Sequence, residues 1–177
     1  MVCLSCMQKK SGGVSKKSAK KDIANIYISY IWAKPTWDFF HSFAAKISEE
    51  FYSKNQSSSL NLIVSICKVL PCPHCQEHAA KFFTKQRLVQ TKTKAQLINL
   101  LLAFHNDVNR RTGKALMTLA DLKKYENSHF INMTKQFIYI FSQYKGTLGG
   151  GLSDTMGRRA MITQVTNWVN ANYLNFQ

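Results

Sequence analysis

Apolar positions recur at helical spacing along most of this chain, and polar residues punctuate them. Ile23, Ile26, Tyr27, Tyr30 and Ile31 predict a first helix over 23–32, interrupted by Pro35. Thr36 reads as the N-cap of a second helix, whose stripe is Trp37, Phe40, His41, Ala44, Ile47 and Phe51. A polar turn is expected over 55–59. The next stripe, Leu60, Ile63, Val64, Cys67 and Leu70, ends at Pro71. Another helix opens at Pro73 and carries Cys75, His78, Ala79, Phe82 and Phe83. Proline suits a first turn, where its missing N–H costs nothing. A basic connection over 86–93 leads to a helix over 94–111, with Leu97, Leu101, Phe104, His105 and Val108 on one face and Gly113 as its C′ residue. A short helix over 118–127 closes the unit. Beyond it, 133–144 and 154–174 read as helices on either side of a glycine loop at 146–151. Nothing alternates with the period of a strand. The expected fold is all-α: a small helical bundle over 23–127, preceded by a flexible basic tail over 1–22 and followed by a helical C-terminal extension over 128–177.

With 177 residues and 45% hydrophobic content, the chain can bury a real core. Its 24 basic residues against 9 acidic give a net charge of +15, which raises nucleic acid or an anionic membrane as partners. The basic residues are spread widely, however, and no nucleic-acid-reading motif accompanies them. A solvated surface is expected instead, with a cofactor phosphate absorbing part of the charge. No apolar run approaches the length of a transmembrane helix, and the N-terminus lacks the apolar core of a secretory signal. Neither Lys-Ser nor Lys-Thr follows the glycine loop, so it reads as a linker and not as a phosphate-binding loop. The five cysteines are Cys3, Cys6, Cys67, Cys72 and Cys75. An odd count with two C-x-x-C pairs points to catalysis or metal binding in a reducing compartment. Cys67 lies on an apolar stripe and reads as a buried structural thiol.

The densest chemistry lies in Leu70-Pro71-Cys72-Pro73-His74-Cys75-Gln76-Glu77-His78. Both sulfurs stand near a helix N-terminus, where the partial positive charge favours thiolate over thiol. Two cysteines on one first turn also form an exchangeable disulfide. The motif alone leaves a redox pair and half of a zinc site both open. A second polar cluster runs from Phe104 to Lys114. His105 and Asn109 share a helix face there, and Asn106 sits within one turn of Asn109. An imidazole beside two amides and a cation suits an adenine with phosphates. Trp37 and His41, one turn apart, repeat the stacking idea. Taken separately, each of these groups is also what an ordinary core or helix cap contains.

Together, Thr36-Trp37 with His41, Pro71-Cys72-x-x-Cys75 with His78, and His105-Asn106-x-Val108-Asn109 with Gly113-Lys114 resemble the pattern of the Erv/ALR FAD-linked sulfhydryl oxidases. The match spans 32–125. The resemblance implies a four-helix bundle with a short fifth helix, FAD at the bundle mouth, and a homodimer. It implies that Cys72 and Cys75 are catalytic. It also implies that Lys34, Thr36, Trp37, His41, Cys75, His78, His105, Asn106, Val108, Asn109, Lys114 and Tyr125 line the FAD, with no metal. Lys34 stands where many members carry Arg, and Leu100 where many carry Trp.

The implied reaction forms disulfides in protein dithiols. A substrate thiolate attacks Cys72, the outer sulfur; Cys75 passes the electrons to FAD, and O2 takes them up as H2O2. Cys3 and Cys6 resemble the shuttle pairs that members carry on flexible segments; a lipid-modified or inert tail is the alternative. The compact domain with its extension looks most like the versions encoded by large cytoplasmic DNA viruses. That implies the host cytoplasm, a virus factory or the virion, with the mitochondrial intermembrane space as the alternative. Two other readings of the cysteines remain. One is a thioredoxin-like oxidoreductase, which needs βαβ units around the motif. The other is a zinc-stabilised binding module using Cys3, Cys6, Cys72 and Cys75.

Overall fold

The computed structural model describes residues 31–143 and 152–176. Cys3 and Cys6, most of the helix expected over 23–32, and the glycine loop lie outside the described residues. The elements are α1 (Ala33–Lys46), α2 (Glu49–Lys68), α3 (Pro73–Lys85), α4 (Lys94–Arg111), α5 (Leu119–Leu122), α6 (Phe130–Gln143) and α7 (Leu152–Asn172). Short 3-10 turns occupy Leu88–Gln90, Lys123–Tyr125 and Tyr173–Asn175. The described residues form no strand; one antiparallel bridge joins Ile47 to Phe176. The fold is all-α, as expected, and the described residues contain no βαβ unit for a thioredoxin-like reading.

Local chemistry sets most boundaries. Thr93 and Gln96 make a capping box at the start of α4: the Gln96 N–H donates to Thr93 Oγ1 at 3.2 Å, and the Thr93 N–H to Gln96 Oε1 at 3.0 Å. The helix ends at Gly113, whose φ of +67° is left-handed backbone that a side chain would strain. Four expectations fail in α1 and α2. Thr36 is not an N-cap; it lies inside α1, buried, with Oγ1 donating to the Trp32 carbonyl at 2.8 Å. Pro35 does not interrupt the helix, because it falls in the first turn, where no N–H is needed. The stripe from Trp37 to Phe51 is two helices, broken at Ile47, whose backbone is extended; Ser48 then caps α2 by accepting the Phe51 N–H at 3.2 Å. The polar turn expected over 55–59 is instead a kink inside α2. Asn55 leaves helical geometry there, and its Nδ2 donates to the Phe51 carbonyl at 3.0 Å.

α1 is central. One edge packs on α4, and the opposite edge packs on α6. Phe39 and Phe43 are fully buried, with Phe39 stacked on Phe137 of α6 at 4.9 Å. α7 lies on α6 and α2, and Trp168 donates from Nε1 to Ser58 Oγ at 2.7 Å. The last turn closes over the α1–α2 junction. The Ser48 N–H donates to the Asn175 carbonyl at 2.8 Å, and Phe176 stacks on Phe130 at 4.0 Å. The described residues of 130–143 and 152–176 therefore share one apolar core with the helices before them. This leaves the edge of α1 facing α4, away from α6, for polar chemistry.

Candidate active site

The cysteines sit where the sequence puts them, at the start of α3. Cys72 is the N-cap and Pro73 the first helical residue. The Cys75 N–H donates to Cys72 Sγ at 3.2 Å, so the helix terminus directs a backbone dipole at that sulfur. Cys72 is only 7% exposed, whereas Cys75 is partly exposed. Cys72, expected as the outer sulfur, is the more buried of the two: as N-cap it folds back over its own first turn, next to buried Pro71. One turn beyond Cys75, His78 Nε2 meets Asp107 Oδ2 on α4 at 2.7 Å. Burial, and then Arg111, lower the His78 pKa against the opposing pull of Asp107. The His78 ring lies over Phe104 at 6.4 Å, and Phe104 touches Trp37 of α1 at 5.2 Å.

Trp37 begins a stack of flat rings. It lies face to face with His105 at 3.9 Å and 3°. His41, one turn along α1, shares a 2.8 Å hydrogen bond from Nε2 to His105 Nδ1. Tyr125 flanks His41 at 5.3 Å. Burial dominates the electrostatics of both imidazoles. His41 is pushed down to about 3, with His105 and Lys124 adding to the effect. His105 is pushed down to about 4 by burial, then by Lys114 and Lys124, against Asp38. Burial thus favours the neutral form of both rings at pH 7, and the bond between them itself requires that the accepting ring be uncharged. The pairing joins helices 64 positions apart in sequence.

The other expected residues divide. Lys114 lies close enough to act on His105, and its N–H donates to the Asn109 carbonyl at 2.9 Å. Asn109 is buried beside this cluster at the end of α4. Asn106 is engaged structurally: its side chain donates to the Met117 carbonyl and accepts the Met117 N–H, both at 2.8 Å. Val108 packs against the core, and its carbonyl accepts from Thr112. The Thr36 hydroxyl is taken by α1 itself. Lys34 is exposed and pairs with Asp38. Cys67 is buried, and burial raises its thiol pKa well above the ordinary range, so it is chemically quiet. Sequence reasoning missed Asp38, Phe104, Asp107 and Lys124. Asp38 had a visible signal: a lone acid among Trp37, Phe39 and Phe40, one turn after a lysine. Among the described residues no cluster of three or more His, Cys, Asp or Glu could hold a metal ion.

Comparison with known proteins agrees with this geometry. The chain is 29% identical over 98 residues to the FAD-linked sulfhydryl oxidase of African swine fever virus (isolate Pig/Kenya/KEN-50/1950), covering 55% of this chain and 82% of the viral protein. It is 31% identical over 83 residues to the FAD-linked sulfhydryl oxidase ERV1 of Oryza sativa subsp. japonica, covering 47% of this chain and 42% of that protein. It is 31% identical over 85 residues to the protein 096R of Invertebrate iridescent virus 3, covering 48% and 57% respectively. No solved structure matches. The Erv1/Alr family model matches residues 34–130, a span that opens just before the ring stack, contains the cysteine helix, and closes after the Tyr125 turn. The chain belongs to the Erv1/Alr family.

Proposed function

We propose that this protein is a FAD-dependent thiol oxidase that forms disulfides in protein dithiols, with Cys72 and Cys75 as the exchanging pair. The observation that carries this reading is the junction at Phe104. It links the helix bearing the cysteines, through His78, to the Trp37–His105–His41 ring stack. The donor set fits FAD. Flat, neutral rings suit an adenine or isoalloxazine face, and Lys114 and Lys124 beside them suit a pyrophosphate. Trp37, His41, His105 and Tyr125 are the residues that would hold the rings. Bound there, FAD would supply the two-electron acceptor, with O2 as final oxidant and H2O2 as product.

The chain's own part is thiol exchange and orientation. A substrate thiolate attacks one sulfur of the Cys72–Cys75 disulfide and expels the other as a thiolate. A second substrate thiolate then releases the product disulfide and leaves the pair as a dithiol. The helix N–H directed at Cys72 Sγ stabilises negative charge on that sulfur. The His78–Asp107 bond ties α3 to α4 and keeps the pair in register with the rings.

The family resemblance supports a homodimer, and the viral relatives support work in the host cytoplasm, a virus factory or the virion. No described helix is long and apolar enough to cross a membrane. Cys3 and Cys6 are proposed as the shuttle that carries electrons from bulky substrates. The whole reading is tested by the visible spectrum of the purified full-length protein, followed by oxygen uptake with dithiothreitol. Flavin colour and dithiol-dependent uptake are expected. A colourless protein whose melting temperature ignores added FAD would falsify it.

A further inference from the structure

We infer that Asp38 is a positioning residue for the ring pocket: by accepting the Tyr125 hydroxyl it holds the Tyr125 ring beside His41 and fixes that wall of the cofactor site. The inference rests on the FAD reading above. A carboxylate buried on α1 is costly unless each oxygen has a partner. Asp38 has both. Oδ1 accepts from the Tyr125 hydroxyl at 2.9 Å, across 87 positions of sequence, and Oδ2 from Lys34 Nζ one turn earlier. The Lys34 side chain is 82% exposed, so that ion pair is worth little. The bond to Tyr125 is the buried one.

Its position matters because of what carries Tyr125. The segment from α5 to the following 3-10 turn is short, and Leu116 and Leu119 are exposed; only Leu122 and Tyr125 are buried in it. Asn106 clamps its start through Met117, and Ser42 meets Ser128 at 2.7 Å beyond its end. Between them Lys46 Nζ donates to the Glu126 carbonyl at 3.0 Å, and Asp38 makes the buried tie, acting on the aromatic ring of the segment that flanks His41. A purely structural need would be met as well by an apolar pair of the same shape. A carboxylate that fixes the direction of a phenol is what a defined stacking surface requires.

The test uses the full-length protein. FAD affinity is measured by equilibrium dialysis, and the FAD-induced rise in melting temperature is read on the same samples. Asp38→Ala and Tyr125→Phe should each weaken FAD binding about tenfold and shrink that rise, as loss of a buried bond to a charged group predicts. Asp38→Asn still accepts from Tyr125 and should stay within about threefold of the unaltered protein. The double variant Asp38→Ala/Tyr125→Phe should bind no more weakly than either single variant, because both remove one interaction. Undiminished FAD affinity in Asp38→Ala, even with a lower apo melting temperature, overturns the inference. So does additivity in the double variant, or an Asp38→Asn protein as weak as Asp38→Ala. If Asp38→Ala fails to fold, Asp38→Asn and Tyr125→Phe decide alone: rescue in the first with loss in the second supports the inference, and any other pattern overturns it. An unaltered protein that binds no FAD overturns the functional reading along with it, so the two failures are told apart.

Discussion

Removal of either active sulfur leaves nothing to complete the exchange, so Cys72→Ser and Cys75→Ser should each bring dithiol-dependent oxygen uptake to background. Flavin colour should persist in both, because the ring stack and not the thiols would hold the cofactor. Loss of colour in both variants would make the cysteines structural. Cys67→Ala should leave turnover close to unaltered, since its buried thiol stays protonated. Histidine pairing makes a second prediction at this level. His41 and His105 have folded pKa values of about 3 and about 4, below the ordinary 6.5. Between those values the unfolded chain binds protons that the folded chain does not, so stability is full above pH 6.5 and declines as the pH falls towards 4. The decline should be on the order of a few kcal/mol. Urea unfolding at pH 7 and pH 5 reads it, and a His41→Gln/His105→Gln protein should show a shallower difference. An equal slope in the two proteins would refute the neutral pair.

Helix ends carry their own consequences. Gly113 closes α4 in left-handed backbone with open space around its Cα, so Gly113→Ala should cost about 1 kcal/mol through conformation alone. Unfolding in denaturant would show a lower midpoint with an unchanged slope. The 3-10 turn at Tyr173–Asn175 and Phe176 after it pack on the core. Phe176 lies against Phe130, Phe43 and Trp168, and Asn175 receives the Ser48 N–H where α1 gives way to α2. Phe176→Ala should cost about 2–3 kcal/mol, below the span for a fully buried phenylalanine because this ring is only partly buried. A loss under half that size would mean that the ring only rests on the surface.

For the molecule as a whole, the described part of 128–177 acts as the second wall of the core. Phe39 and Phe43 on α1 and Ile47 just after it are fully buried, and α6 and the turn at 173–176 cover them. A chain ending at residue 128 should therefore expose a contiguous aromatic face, bind a hydrophobic dye strongly and aggregate. A truncated protein that is monomeric, dye-silent and of unchanged melting temperature would show the extension to be dispensable. The proposal for 128–177 is thus a covering role for α1 and α2, separate from the thiol chemistry at the far edge of α1.

Much of this was legible along the chain. The apolar stripes, the capping residues Thr93 and Gln96, Gly113, and proline beside the cysteines are local signals, and local signals set α3 and α4 at their expected starts. The motifs were legible for the same reason: Cys72 and Cys75 meet because they share one helical turn. Local signals erred where a distant group competed. The stripe from Trp37 to Phe51 looked continuous, but Ser48 and Ile47 pair with the last turn of the chain, and that pairing bends the backbone. The burial of Cys72 and the junction at Phe104 could not be read from spacing either. Nor could the bond from Asp38 to Tyr125 or the neutral state of His41 and His105. Each depends on side chains dozens of positions apart meeting in a low-dielectric interior, and only the packing of α1 between α4 and α6 brings them there.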